Sequence, residues 1–141
     1  MIAALPEARG SDDDLQGLKI LLVEDSQSVG DALKQHLELL GANVTGPAAT
    51  TAEAMKLITE RLPNVALVDF HLRGENSSGL IARLRGEGVP VILLSGSFEF
   101  SPPVSLEGVT MVEKPISEAQ ILQYLKPILR RVLTKAASAI S

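Results

Sequence analysis

Short apolar runs alternate along this chain with segments whose apolar residues recur every three or four positions, a pattern that predicts strands and helices in turn. The run LKILLVED (residues 18–25) is strand-like and ends in acid. SQSVGDALKQHLELLG follows, with Val29, Leu33, Leu37 and Leu40 on one helical face and Gly41 as a stop. ANVTG gives a short second strand. Thr50 and Glu53 form a T-x-x-E capping box that opens a helix through about Leu62, and Pro63 cannot continue it. NVALVD is the third strand and SGLIARLRGEG a short third helix. VPVILLSGS, the longest apolar run, is the fourth strand and the centre of a buried parallel sheet. GVTMVEKP is the fifth, closed by Pro115. Ser117 and Gln120 make a second capping box, opening a last helix through about Leu133.

This order implies an α/β fold, a doubly wound parallel sheet of five strands joined by right-handed crossovers. Ligands in such sheets bind outside the carboxyl ends of the strands. Glu24 and Asp25 end the first strand, Asp69 the third, Ser95 the fourth and Lys114 the fifth. Three acids, a hydroxyl and an amine therefore converge on one end of one sheet.

Composition narrows what that site does. At 141 residues the chain is about one domain, and its 45% hydrophobic content is that of a globular protein. A formal net charge of −4 and only four Phe and Tyr residues, with no Trp, argue against nucleic acid as a partner. No cysteine is present, which removes disulfides and thiolate metal sites and fits a reducing cytoplasm. No apolar run approaches the roughly 20 residues that span a bilayer, so a membrane is not expected as a partner. The N-terminus has no basic start and reads as a leader over residues 1–17, with the folded domain over 18–134 and a short tail over 135–141.

Three carboxylates close together repel and raise one another's pKa unless a hard cation sits among them. Glu24, Asp25 and Asp69 thus point to Mg²⁺, which prefers oxygen ligands and would bring in a phosphoryl donor. The acid ending the central strand can then act as nucleophile, because carboxylates form acyl phosphates. Ser95 and Lys114 would bind the oxygens of that phosphate by a hydrogen bond and a point charge. Taken singly, each residue has a plainer reading: Asp69 as a turn cap, Glu24 and Asp25 as solvated acids, and His36 and His71 as surface and loop histidines. Their order at successive strand ends favours the site.

LLVEDS, LVDFHL, LLSGS and VEKPI, in this order, resemble the receiver domain of two-component response regulators, over about residues 18–133. The resemblance implies that Asp69 accepts phosphate from a histidine kinase or phosphotransfer protein. It further implies that Glu24, Asp25, Asp69 and the backbone carbonyl of His71 hold Mg²⁺, that Ser95 and Lys114 read the phosphate, and that the Lys114–Pro115 bond is cis. Two departures stand out. Met111 occupies the position where the family usually has an aromatic switch residue. FSPPVS, between Ser95 and Lys114, breaks a helix interior, so the fourth helix is expected to be short, displaced or missing.

In the last helix, Ile121, Leu125, Ile128 and Val132 make one apolar stripe, which Leu122, Leu129 and Leu133 widen. That breadth fits either a core-facing helix or a surface for self-association or a downstream protein. Pro127 inside it is expected to kink or split the helix. The resemblance implies a stand-alone response regulator that catalyses only its own phosphorylation and dephosphorylation and signals by protein contact or phosphorelay. The alternatives are a phosphate-independent binding module on the same fold and a metal-dependent phosphatase. His71 stands where such phosphatases often place a second acid.

Overall fold

A computed structural model describes residues 14–72, 75–96 and 108–140. The five strands form one parallel sheet: β1 (Lys19–Val23), β2 (Asn43–Ala48), β3 (Val65–Asp69), β6 (Val91–Ser95) and β7 (Val109–Glu113), in spatial order β2-β1-β3-β6-β7. Between β3 and β6 lies a small antiparallel ribbon, β4 (His71–Leu72) with β5 (Glu75–Asn76). The helices are α1 (Gln27–Leu39), α2 (Thr51–Glu60), α3 (Ser78–Gly86) and α4 (Glu118–Ile140). The expected irregular fourth helix falls on residues 97–107, outside the described residues.

β1 after Lys19, β3 before Asp69 and β6 before Ser95 are unbroken apolar runs because the middle of the sheet is covered on both faces, while the edge strands β2 and β7 keep exposed polar residues such as Thr45 and Thr110. Ile20, Leu22, Val65, Leu67, Ile92 and Leu94 pack on one side with Leu37 of α1 and Ile121, Leu125 and Ile128 of α4. Their chain neighbours Leu21, Val23, Ala66, Val68, Val91 and Leu93 pack on the other with Ala54 and Ile58 of α2 and Leu80, Ile81 and Leu84 of α3. Successive strand side chains point to opposite faces, so two buried faces leave no polar position. Each fully buried aliphatic side chain contributes about 1.5–3 kcal/mol.

The Ser117–Gln120 capping box forms in full, and in the Thr50–Glu53 pair the Glu53 side chain reaches one residue further back than the N-cap, to Ala49. The Glu53 N–H donates to Thr50 Oγ1 at 3.1 Å, while the Ala49 N–H donates to Glu53 Oε1 at 2.7 Å. The Gln120 N–H donates to Ser117 Oγ at 3.1 Å and the Ser117 N–H to Gln120 Oε1 at 3.0 Å.

Five expectations change. The centre of the sheet is β3, between β1 and β6, rather than the expected fourth strand, β6, which lies next to the edge strand β7. The folded region begins before residue 18: Leu15 is fully buried and its N–H donates to the Leu40 carbonyl at 2.8 Å. The second strand runs two residues past Gly46, through a cis Gly46–Pro47 bond. Pro127 does not split α4, which continues unbroken through the expected tail as far as Ile140. Loss of one N–H removes a single rung of the helix ladder, and Pro127 sits on the exposed side. Val29, placed on the buried face of α1, is instead 45% exposed.

Candidate functional site

The carboxyl ends of the strands are laced together by backbone hydrogen bonds that continue beyond the strands. The Glu24 N–H donates to the Ala48 carbonyl at 2.9 Å, the Phe70 N–H to Leu94 at 3.0 Å and the Lys114 N–H to Ser95 at 2.7 Å. These bonds fix the backbone beneath Glu24, Asp69, Ser95 and Lys114, four of the five residues singled out from the sequence, and Asp25 follows Glu24 directly.

Glu24, Asp25 and Asp69 each bring a carboxylate oxygen within 4.8 Å of the others. Glu24 is 3% exposed and Asp69 6%, and Ser95 is buried. Lys114 Nζ stands 3.1 Å from Glu24 Oε1 and 3.1 Å from Asp69 Oδ2, bridging two of the three acids. The contact with Asp69 is a hydrogen bond. The contact with Glu24 is an ion pair without hydrogen-bond geometry, and Glu24 Oε1 is left buried with no hydrogen-bond donor. Its other oxygen, Oε2, accepts from the Ser26 N–H at 3.1 Å.

Burial raises the Glu24 carboxyl above its ordinary pKa; the Ser26 N–H and the Lys114 ammonium oppose this, and the nearby Asp69 charge adds to it. Burial would lower Lys114, but its contacts with Glu24 and Asp69 outweigh that and hold the ammonium above its usual range. Three carboxylates against one ammonium leave two negative charges in excess. That excess, an all-oxygen donor set and the undonated Glu24 Oε1 fit a hard divalent cation such as Mg²⁺.

The remaining expectations fall around this centre. The Lys114–Pro115 bond is cis. Met111 is half-buried on β7, paired with Leu93 and packed on the core that α2 and α3 cover. His71 lies in the ribbon two residues after Asp69. His36 lies on the surface of α1 as expected, its side chain 41% exposed and its Nε2 3.7 Å from Glu118 Oε1 at the start of α4.

Ser77 was missed. Its position before α3 reads as a helix cap, yet its side chain makes no capping bond. Instead its N–H and hydroxyl both donate to the Phe70 carbonyl at 3.1 Å, fastening the start of α3 to the residue that follows Asp69. A groove of about 620 Å³ opens beside the acids between α1 and α4, lined by Val29, Leu33, Lys114 and Ile116 among others.

Comparison with known proteins agrees with this geometry. The response regulator receiver domain model matches residues 20–126. The chain is 30% identical to the phosphate regulon transcriptional regulatory protein PhoB of Rhizobium meliloti, over 86% of this chain and 56% of that protein. It spans about half the length of the curated relatives it matches first, 52% to 56% of each. Among solved structures, a CheY-like receiver domain from Methylobacillus flagellatus superposes with a TM-score of 0.72 at 23% identity, covering 80% of this chain and 99% of that one. The receiver domain of the hybrid histidine kinase CckA superposes at 0.66 with 27% identity, covering 79% and 98%. Among the described residues no helix is long and apolar enough to cross a membrane. With its sheet order, its strand-end acids and its bridging lysine, the chain belongs to the response regulator receiver domain family.

Proposed function

We propose that Asp69 accepts a phosphoryl group from a phosphohistidine, carried by a histidine kinase or a histidine phosphotransfer protein, in a Mg²⁺-dependent reaction of two-component signalling. The observation that carries this reading is the meeting of Glu24, Asp25 and Asp69 within 4.8 Å, bridged by Lys114. In the step, an Asp69 carboxylate oxygen attacks phosphorus as the donor's N–P bond breaks. An O–P bond forms, and the electron pair of the broken bond stays with the imidazole nitrogen.

Glu24, Asp25 and Asp69, with the His71 backbone carbonyl, would hold the metal. When bound, Mg²⁺ neutralises charge on the transferring oxygens. The Lys114 ammonium, already 3.1 Å from Asp69 Oδ2, moves its contact to a phosphate oxygen once the carboxylate is esterified. The Ser95 hydroxyl donates to another. The groove between α1 and α4 reaches Glu24 and Lys114, the two groups beside the acceptor, and offers the donor protein a surface there. Output follows by protein contact or by onward relay of the phosphate. A complete set of acids, with Ser95 and Lys114 in place, weighs against a phosphate-independent module.

The test uses a ³²P-phosphohistidine donor protein and borohydride reduction, which converts an aspartyl phosphate to homoserine. Label that is lost in Asp69→Asn, with homoserine at position 69 in the wild type, is the expected result. Undiminished label in the variant, or reduction at another acid, would sink the assignment.

A further inference from the structure

The groove at the opposite end of the sheet is unused by this chemistry. It measures about 730 Å³ and lies where α4 passes the loops leading into β3 and β6, at the amino ends of the strands. Pro63, Val89, Ile128 and Val132 line its apolar part. A 23-residue helix is about 34 Å long. A five-residue strand is about 17 Å. The last turns of α4, beyond Val132, therefore run on past the sheet, and the receiver match ends earlier, at residue 126.

Charge distinguishes the second half of α4. From residue 119 onward the chain has Lys126, Arg130, Arg131 and Lys135 and no Asp or Glu, although the chain as a whole is −4. Arg130, Arg131 and Lys135 line the groove, and among the described residues none has an ion pair. Glu87, the acid that also lines it, is engaged by Arg83 at 3.2 Å. Compensation of the helix dipole does not account for the cations, since the last turn of α4 holds no basic residue. Beside them Leu133 is 58% exposed and Leu62 43%.

We infer that this groove is a docking site for an acidic amphipathic segment of another protein, its apolar face on Leu62, Ile128 and Val132 and its carboxylates on Arg130, Arg131 and Lys135. A second copy of this chain would set the same cations against each other. An apolar floor without an aromatic platform does not suit nucleic acid. Because the groove and the acid site lie at opposite ends of the strands, an occupant here does not compete with a phosphodonor there.

A displayed library of randomised helical peptides, panned on the wild-type protein and counter-panned on Arg130→Glu/Arg131→Glu, tests this. Retained peptides are expected to carry apolar residues three or four positions apart flanked by Asp and Glu. They should bind the double variant at least about tenfold more weakly and lose affinity as salt rises. Arg130→Gln/Arg131→Gln, at the same exposed positions, should give a smaller loss of the same sign and guards against an unfolded variant. An empty selection, or peptides without acidic bias that bind all three proteins alike, overturns the inference. So does self-association in sedimentation that Leu133→Asp dissolves, which would give this face to a second copy, or displacement of the peptides by nucleic acid.

Discussion

Lys114 and Asp69 meet at 3.1 Å, Nζ to Oδ2, and the same ammonium stands 3.1 Å from Glu24. One cation thus restrains two buried acids that arise at separate strand ends. Without metal it is the favourable charge in a cluster that otherwise repels itself.

Removing that ammonium should therefore weaken the metal-free fold. Breaking a fully buried pair costs about 3–5 kcal/mol. Lys114 is 27% exposed, so solvent screening reduces the loss for Lys114→Ala to about 1–2 kcal/mol. Urea unfolding in EDTA measures it. Equal midpoints and slopes for variant and wild type would show that the bridge contributes nothing.

Glu24 sets a pH dependence. Its carboxyl is raised by burial, so its contribution to stability is fully present below the unfolded pKa and is lost as pH rises through the higher folded value. The metal-free protein should lose stability across that window, above the ordinary glutamate range. Metal binding needs the ionised form, so the proton competes with Mg²⁺ to a higher pH than an ordinary glutamate would allow. In Glu24→Gln both effects should flatten. Calorimetric titration of Mg²⁺ and thermal melts across mildly acidic pH report them together, and a wild-type profile matching that of Glu24→Gln would contradict the assignment.

Gly46 is a backbone test of the frame that carries Glu24. Its φ is +106°, and a Cβ there would lie 2.5 Å from the Leu22 carbonyl oxygen and 2.8 Å from the Ala48 N, the residue whose carbonyl receives the Glu24 N–H. Lys34 Nζ also donates to the Gly46 carbonyl at 2.9 Å. Gly46→Ala should destabilise by more than about 2 kcal/mol and weaken Mg²⁺ binding with it. A variant with wild-type stability would mean that this turn relaxes freely.

Much of this arrangement was legible in the sequence because two-sided burial makes β1, β3 and β6 unbroken apolar runs, and the first polar residue after the run marks the sheet edge. Glu24, Asp69 and Ser95 were readable for that reason, whereas Lys114 follows the mixed edge strand VTMVE and was readable through the motif it shares with Pro115. Leu15 was not, since a single leucine after three aspartates has no periodicity. Its burial depends on a bond to Leu40, which lies 25 residues away. The ribbon of His71–Leu72 with Glu75–Asn76 is too short to leave a pattern. Beyond Leu133 the apolar stripe stops, and only the helix propensity of Ala and Lys marked the continuation of α4 to Ile140. Ser77 carried no signal because its bond to Phe70 spans a loop that local rules do not see.

Asp69→Asn separates stability from chemistry. It removes one of the mutually repelling charges and leaves Lys114 with Glu24, so metal-free stability should be unchanged or slightly higher, within about 1 kcal/mol. Thermal melts in EDTA check it, and a melting temperature well below wild type would mean that the Asp69–Lys114 contact outweighs the repulsion.

Intact mass after incubation with acetyl phosphate, with and without Mg²⁺, reports directly whether Asp69 is the acceptor. One adduct of about 80 Da, a single phosphoryl group held as an acyl phosphate, is expected on the wild type with Mg²⁺ and none on Asp69→Asn. An adduct of the same size and yield on Asp69→Asn, or one formed equally well in EDTA, would contradict that assignment.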